Sequence, residues 1–327
     1  MRRALPPIAA LSLWPVSVFA AEPCRFDHQQ LFFVGTAVEQ ALCLTRRVRA
    51  YGELDPAANS LPPPLDKLVG TIADISVPQL RAYLLAGGRG ESTLGGSLDR
   101  PVSRAMAGDP HAPLARYFVI HDTSTPALGA DAFPEDIDRA SWPHNKLDSW
   151  IAGDKSHAHV FISRTGESAT AVDFFEPWRA TKFESQDTLL RRKGLFLHIE
   201  LVMPRRYDRD GSVANEALAP EPGFPQAQYE RLALVYVAAS VRAGQWLIPA
   251  FHAVLDTGRV DAHDDPQNFS IELFAAALAR ALTDIHAGHA AAERYVPFPT
   301  GFDGQSHRTA FRSSLVNATS TNLKETI

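Results

Sequence analysis

A few positions in this chain set metal-binding or proton-transferring side chains at the ends of apolar, strand-like runs. His121 closes the run Tyr117-Phe118-Val119-Ile120 and leads into Asp122-Thr123-Ser124. His252 lies in the short apolar stretch from Ile248 to Val254, and the cluster His263-Asp264-Asp265-Pro266 follows it. Glu200 interrupts the otherwise apolar segment from Leu195 to Val202. A carboxylate in a buried strand costs several kcal/mol unless it is paired or bound to metal, so Glu200 requires a partner. The chain contains no Gly-x-Ser-x-Gly and no His-Glu-x-x-His, and neither of its cysteines lies in a Cys-x-x-Cys pair. Hydrolytic chemistry would need another source of nucleophile. Two histidines and one carboxylate, with water in the fourth position, make an open zinc site that acidifies the water to a pKa of about 7 and polarises a carbonyl. A carboxylate outside that shell would carry the proton to the leaving group, and Glu200 has the right chemistry. On spacing alone His263, Asp264 and Asp265 compete for one role. His157 and His159, two apart on one strand face, form a rival pair.

These side chains need strand ends to hold them. From Leu114 onward, short apolar strands alternate with helices: Tyr117 to His121, His159 to Ser163, Ser168 to Phe175, Leu195 to Val202 and Ile248 to Val254. The second and third are joined through Arg164-Thr165-Gly166-Glu167, a hairpin signal. Gln226 to Arg242 reads as an amphipathic helix with Tyr229, Leu232, Tyr236 and Val237 on one face and Gly244 at its stop. Ser270 to His286 reads as a last helix, with His286 and His289 near its end as carbonyl caps. Strands interleaved with helices predict an α/β layered domain. Upstream, residues 22–100 read as a mainly helical region, with helices over 36–50 and 74–85 separated by Pro62-Pro63-Pro64. The glycine-rich stretch from Gly87 to Gly96 is a loop and not a phosphate cradle, because no Gly-Lys-Ser/Thr follows.

The composition is that of an ordinary globular protein, 45% hydrophobic and 21% charged, with a net charge of -5. That balance excludes electrostatic attraction to nucleic acid or an anionic membrane. Arg2 and Arg3 precede an apolar stretch, Ile8 to Ala20, that ends in small residues; residues 1–21 read as a secretory signal. Pro6, Pro7 and Pro15 interrupt the stretch, and no other segment reaches spanning length, so the expected product is periplasmic or secreted without a membrane span. In such a compartment Cys24 and Cys43 predict a single disulfide. Residues 296–327 read as a polar tail.

Several pieces then fall into a known order. They are Tyr117-Phe118-Val119-Ile120-His121-Asp122-Thr123-Ser124, His157-Ala158-His159-Val160-Phe161-Ile162-Ser163-Arg164-Thr165-Gly166, Leu197-His198-Ile199-Glu200-Leu201-Val202, Ala227-Gln228-Tyr229, His252, and Asp265-Pro266. In this order they resemble the zinc-dependent N-acetylmuramoyl-L-alanine amidase family, which includes phage amidase lysins and the peptidoglycan recognition proteins. The resemblance implies a hydrolase domain over residues 101–295, with a mixed central sheet flanked by helices and Zn2+ in a groove at one edge. It implies metal ligands His121, His252 and Asp265, Glu200 as the catalytic glutamate, a groove reaching His159 and Trp178, and peptidoglycan or muropeptides as substrate. Three positions depart from the pattern. His263 stands where the family has a lysine that steadies the oxyanion, and a histidine there can donate in its place. Gln267 stands where glycine usually follows Asp-Pro. Trp178-Arg179-Ala180-Thr181 lacks one substrate-side histidine, and Trp142, Trp150 and Trp178 read as groove or core packing. These departures keep two alternatives in view: a non-catalytic peptidoglycan-recognition module, and a zinc hydrolase of another small amide.

Overall fold

The computed structural model describes residues 23–152, 158–186, 193–207 and 217–294. The signal segment, the polar tail and His157 lie outside the described residues. The chain begins with a short antiparallel pair, β1 (Phe26–Asp27) and β2 (Phe32–Phe33), followed by helix α1 (Ala37–Leu44). Thr36 and Glu39 cap α1 reciprocally: each side chain accepts the other's backbone N–H. The helix expected over 36–50 stops at Leu44. Beyond it Arg46 donates back to the Cys43 carbonyl, and Val48 forms an antiparallel bridge with Leu54 across a turn at Tyr51, whose φ is 60°. Arg46, Arg47 and Arg49 therefore belong to that turn and not to the last turns of a helix. α2 (Leu65–Leu68) and α3 (Val77–Ala86) complete the region; Ser76 and Gln79 form a second capping box.

The sheet follows, in chain order, from β3 (Tyr117–Asp122), α4 (Asp148–Ile151), β4 (Val160–Ile162), β5 (Ser168–Thr170), α5 (Lys182–Gln186) and β6 (Phe196–Leu201). A small pair, β7 (Arg206–Tyr207) and β8 (Ala217–Leu218), leads to α6 (Gln226–Ala243), β9 (Ile248–Phe251), α7 (His252–Leu255) and α8 (Ile271–Arg294). The five strands lie in the order β5-β4-β6-β3-β9. β4, β6, β3 and β9 are parallel, and β5 is the antiparallel edge. The fold is α/β, with a mixed sheet packed against helices.

Every residue of β3 and β6 is buried, as parallel strands covered on both faces require. Alternation along β3 sends Tyr117, Val119 and His121 to one face and Phe118 and Ile120 to the other. Phe118 meets Tyr236 of α6 edge to face. On the opposite face Tyr117 stacks on Phe196, donates to Gln40 of α1 at 2.8 Å and accepts the Phe33 N–H at 2.8 Å. Phe33 in turn stacks on Phe183 of α5. The N-terminal region thus shares a continuous core with the sheet, on the face that carries His121.

Two expected strands end early and the last helix runs long. The strand from Ser168 keeps only three residues, because its partner β4 is equally short; Ala171 and Val172 then both donate to the His159 carbonyl. β9 stops at Phe251, so His252 opens a helix and does not sit within a strand. α8 continues past His286, which is an exposed residue inside the helix and not a cap. The hairpin turn occurs where expected: Gly166 has φ +83°, and a Cβ there would stand 2.8 Å from the Ala227 carbonyl oxygen. Among the described residues no helix is long and apolar enough to cross a membrane.

Cys24 and Cys43 form the expected disulfide, with a sequence separation of 19. Closing that loop should contribute about 3 kcal/mol in the chain-entropy model. The double variant Cys24→Ser, Cys43→Ser should therefore lose about 3 kcal/mol of stability in urea unfolding, seen as a lower midpoint, and reductant should produce a similar loss in the native chain. An unchanged midpoint would show that this bridge does not restrain the unfolded chain.

Candidate metal centre

The parallel strands end together, and the crevice beyond their carboxyl ends is where such sheets present polar groups. His121 of β3 and Glu200 of β6 are register partners, so their side chains stand side by side on one face. His252 opens α7 directly after β9. Asp265 lies in the following loop, where the Ala253 N–H donates to its carbonyl at 2.8 Å and the Asp122 N–H to its Oδ2 at 3.1 Å.

These supports bring the donor atoms together. His121 Nδ1 lies 2.9 Å from His252 Nδ1 and 3.8 Å from Asp265 Oδ2. His252 Nδ1 lies 3.0 Å and 3.2 Å from the two Asp265 oxygens. All three side chains are buried, and their ligand atoms fall within 4.8 Å of one another, a group that could hold a metal ion. The donor set fits a cation. Two imidazole nitrogens facing each other at 2.9 Å are stable only with a proton or a positive ion shared near them. Asp264 is turned elsewhere, 3.7 Å from Arg205 and accepting from Gln267 at 2.7 Å.

The electrostatics of the metal-free site follow from burial. Burial pulls the His252 imidazole down, but Asp265 and Asp256 outweigh it and hold the ring well above the usual histidine range. Burial pushes Asp265 up, and the His252 charge more than reverses that, leaving it well below the usual carboxylate range. Burial, then His252 and His198, keep His121 well below the histidine range and so neutral. Burial, then Asp265, raises Glu200 well above the carboxylate range. Its Oε1 lies 4.0 Å from His121 Nδ1, and its Oε2 has no hydrogen-bond partner among the described residues.

The site opens into a cavity of about 710 Å³, whose lining includes Glu200, His252, His263 and Asp265. Trp150 and Phe161 supply apolar wall, and Arg179 and Lys182 supply positive charge. The half-exposed His263 ring stacks on His252 with centroids 4.4 Å apart, and its Nδ1 is 3.6 Å from Asp265 Oδ1. His159 is fully buried and outside the lining; its Nδ1 accepts the His198 N–H at 3.0 Å and its Nε2 lies 3.1 Å from the Glu176 carbonyl. Trp178 is half-buried and also outside the lining, with Arg179 to Lys182 in the wall beside it. Trp142 packs in a small apolar cluster with Ile137 and Leu147.

Several contributors escape a reading of the sequence. Asp256 Oδ2 stands 2.9 Å from His252 Nε2, an i, i+4 contact on α7 that is visible only once His252 is placed on a helix. Arg205 is buried against Asp122 at 2.8 Å, and the Gln267 N–H donates to the same carboxylate at 3.3 Å, which fastens the end of β3 to the Asp265 loop. His198 Nδ1 lies 3.0 Å from His121 Nε2, and its Nε2 lies 3.2 Å from Glu184 Oε2. The alternation that pairs His198 with Glu200 on one face was the available signal.

No family model matches the chain, and no curated protein and no solved structure matches it either.

The native chain should retain one divalent ion after dialysis, measured by elemental analysis, and His121→Ala, His252→Ala or Asp265→Ala should each lose it. Binding has to displace the proton that His252 carries, so the affinity should weaken as pH falls. A native chain that holds no stoichiometric metal would remove the basis for a metal centre.

Proposed function

We propose that this chain is a zinc-dependent amidase that hydrolyses the bond between N-acetylmuramic acid and L-alanine in peptidoglycan. The observation that carries the proposal is the buried group of His121, His252 and Asp265, with Glu200, a residue of the cavity lining, placing its Oε1 4.0 Å from His121 Nδ1. Two nitrogen donors and one carboxylate suit Zn2+ with a position left open. A zinc ion there supplies Lewis acidity, which acidifies a water and polarises the scissile carbonyl.

The remaining work falls to side chains. Glu200 stands beside the ligand His121 on the cavity lining, and its Oε2 has no hydrogen-bond partner among the described residues, so it is placed to act as a base when ionised. It accepts the proton of the attacking water and delivers it to the departing amine. His263 stands on the cavity wall beside Asp265, where a ring N–H can donate to the carbonyl oxygen as it gains charge. Arg179 and Lys182 suit the carboxylates of a stem peptide, and Trp150 and Phe161 suit the apolar face of a sugar. The order of motifs along the chain supports this substrate over other amides. The Cys24–Cys43 disulfide accords with an oxidising compartment, where peptidoglycan lies.

Purified sacculi incubated with the zinc-loaded chain should release new L-alanine amino termini, and EDTA should stop the release. Glu200→Gln should bind zinc like the native chain and lose roughly 10²- to 10⁴-fold in turnover, the usual contribution of general acid–base catalysis. Binding to sacculi without new amino termini, at full zinc loading, would replace this reading with a recognition module. On soluble muropeptides, Arg179→Ala and Lys182→Ala should each raise KM about tenfold with little change in kcat, as loss of one charge-assisted hydrogen bond predicts. Unchanged KM values in both would remove these side chains from substrate binding.

A further inference from the structure

We infer that His198 and Glu184 are positioning residues: they form a buried relay that fixes the proton of His121 on Nε2 and so aims its Nδ1 lone pair at the metal site. The inference rests on the metal-site reading above and adds two residues to it.

The direction of the relay follows from what each group can donate or accept. Glu184 is fully buried, and its Oε2 is an acceptor, already taking two donors from the residues that lead into α5. Its Oε2 takes the Thr181 hydroxyl at 2.9 Å and the Ala180 N–H at 3.2 Å, and it is the carboxylate oxygen that faces His198 Nε2 at 3.2 Å, a buried nitrogen that makes no well-aligned hydrogen bond among the described residues. The hydrogen on His198 therefore belongs on Nε2. A neutral imidazole with hydrogen there has an acceptor at Nδ1, and that atom lies 3.0 Å from His121 Nε2. His121 must then donate from Nε2, which leaves Nδ1 as a lone pair facing His252 and Asp265. One acceptor at the buried end thus sets every proton up to the cavity.

The relay ring is itself held in place. The His198 backbone N–H donates to His159 Nδ1 at 3.0 Å, and the two rings stack with centroids 5.7 Å apart and planes at 14°. His252 has the corresponding support without an intermediary, since Asp256 lies 2.9 Å from its Nε2. Both carboxylates depend on α5 and the residues that lead into it. Thr181 and Ala180 hold Glu184, and the Phe183 N–H donates to Asp256 at 2.9 Å. Orienting a ligand histidine through a carboxylate is worth roughly 10- to 100-fold in metal affinity.

The test measures zinc affinity of the full chain by competition with a chelating dye. His198→Ala and Glu184→Ala should each weaken binding roughly 10- to 100-fold. Glu184→Gln, whose amide oxygen still accepts, should recover most of the loss, whereas a role confined to charge gives no such rescue; a role confined to packing would leave the proton positions of the two rings unset in the spectra below. Histidine ¹⁵N spectra of the native zinc-loaded chain supply a readout that does not depend on the variants folding: His198 and His121 should both carry hydrogen on Nε2. A His198 with hydrogen on Nδ1 overturns the relay. Native-like affinity in both alanine variants also overturns the relay and leaves the metal site standing. A native chain that binds no zinc overturns the relay and the zinc reading together.

Discussion

Two imidazole rings and two carboxylates buried at the ends of a parallel sheet destabilise a fold unless each charge has a counterpart and each lone pair a donor, and the neighbouring structure is arranged around that requirement. In the metal-free state His252 and Asp265 balance each other at 3.0 Å, while His121 and Glu200 lie at the neutral ends of their ranges. A bound cation would take over that balance. The buried Asp122–Arg205 pair plays a different part: it anchors the end of β3 to the loop that delivers Asp265. Gln267 reinforces that anchor, donating to the Ala217 carbonyl and to Asp264 while accepting the Ala219 N–H. A glycine at this position would have no side chain to make those three bonds, so the departure at Gln267 has a structural counterpart in β8.

The sequence is most legible where periodicity and chemistry coincide. His121 and Glu200 stand out because each breaks an apolar run, and β3 and β6 occur with bounds within a residue or two of those expected. Asp265 was one of three neighbours by spacing; the backbone amides that hold it come from Asp122 and Ala253, distant in sequence from each other. Asp256 stayed hidden because Ile248 to Val254 looks like one strand, whereas the chain turns into a helix at His252. Glu184 carries only the mark of a helix start, in Thr181-x-x-Glu184; its burial against His198 of β6 comes from the packing of α5, which that pattern does not reveal.

The N-terminal region was the least legible part. Its composition indicates helices but not what they cover. The deciding contacts are between aromatic rings far apart in the chain: Phe33 against Tyr117, Phe26 and Phe33 against Phe183, and Phe183 against Phe196. Aromatic pairs of this kind add about 0.5–1.5 kcal/mol each beyond burial. Their specificity lies in shape, which a linear pattern does not encode.

That aromatic cluster bears on modularity. α5 is packed from behind by Phe26 and Phe33, and the same short helix supports the residues behind both ligand histidines. A fragment cut at residue 101 would strip one face of Tyr117 and Phe183 and leave an apolar scar behind the site. The segment ahead of the sheet is therefore no detachable appendage. Grafting this chemistry onto another carrier, or trimming it to a minimal domain, would have to bring the first helical region along.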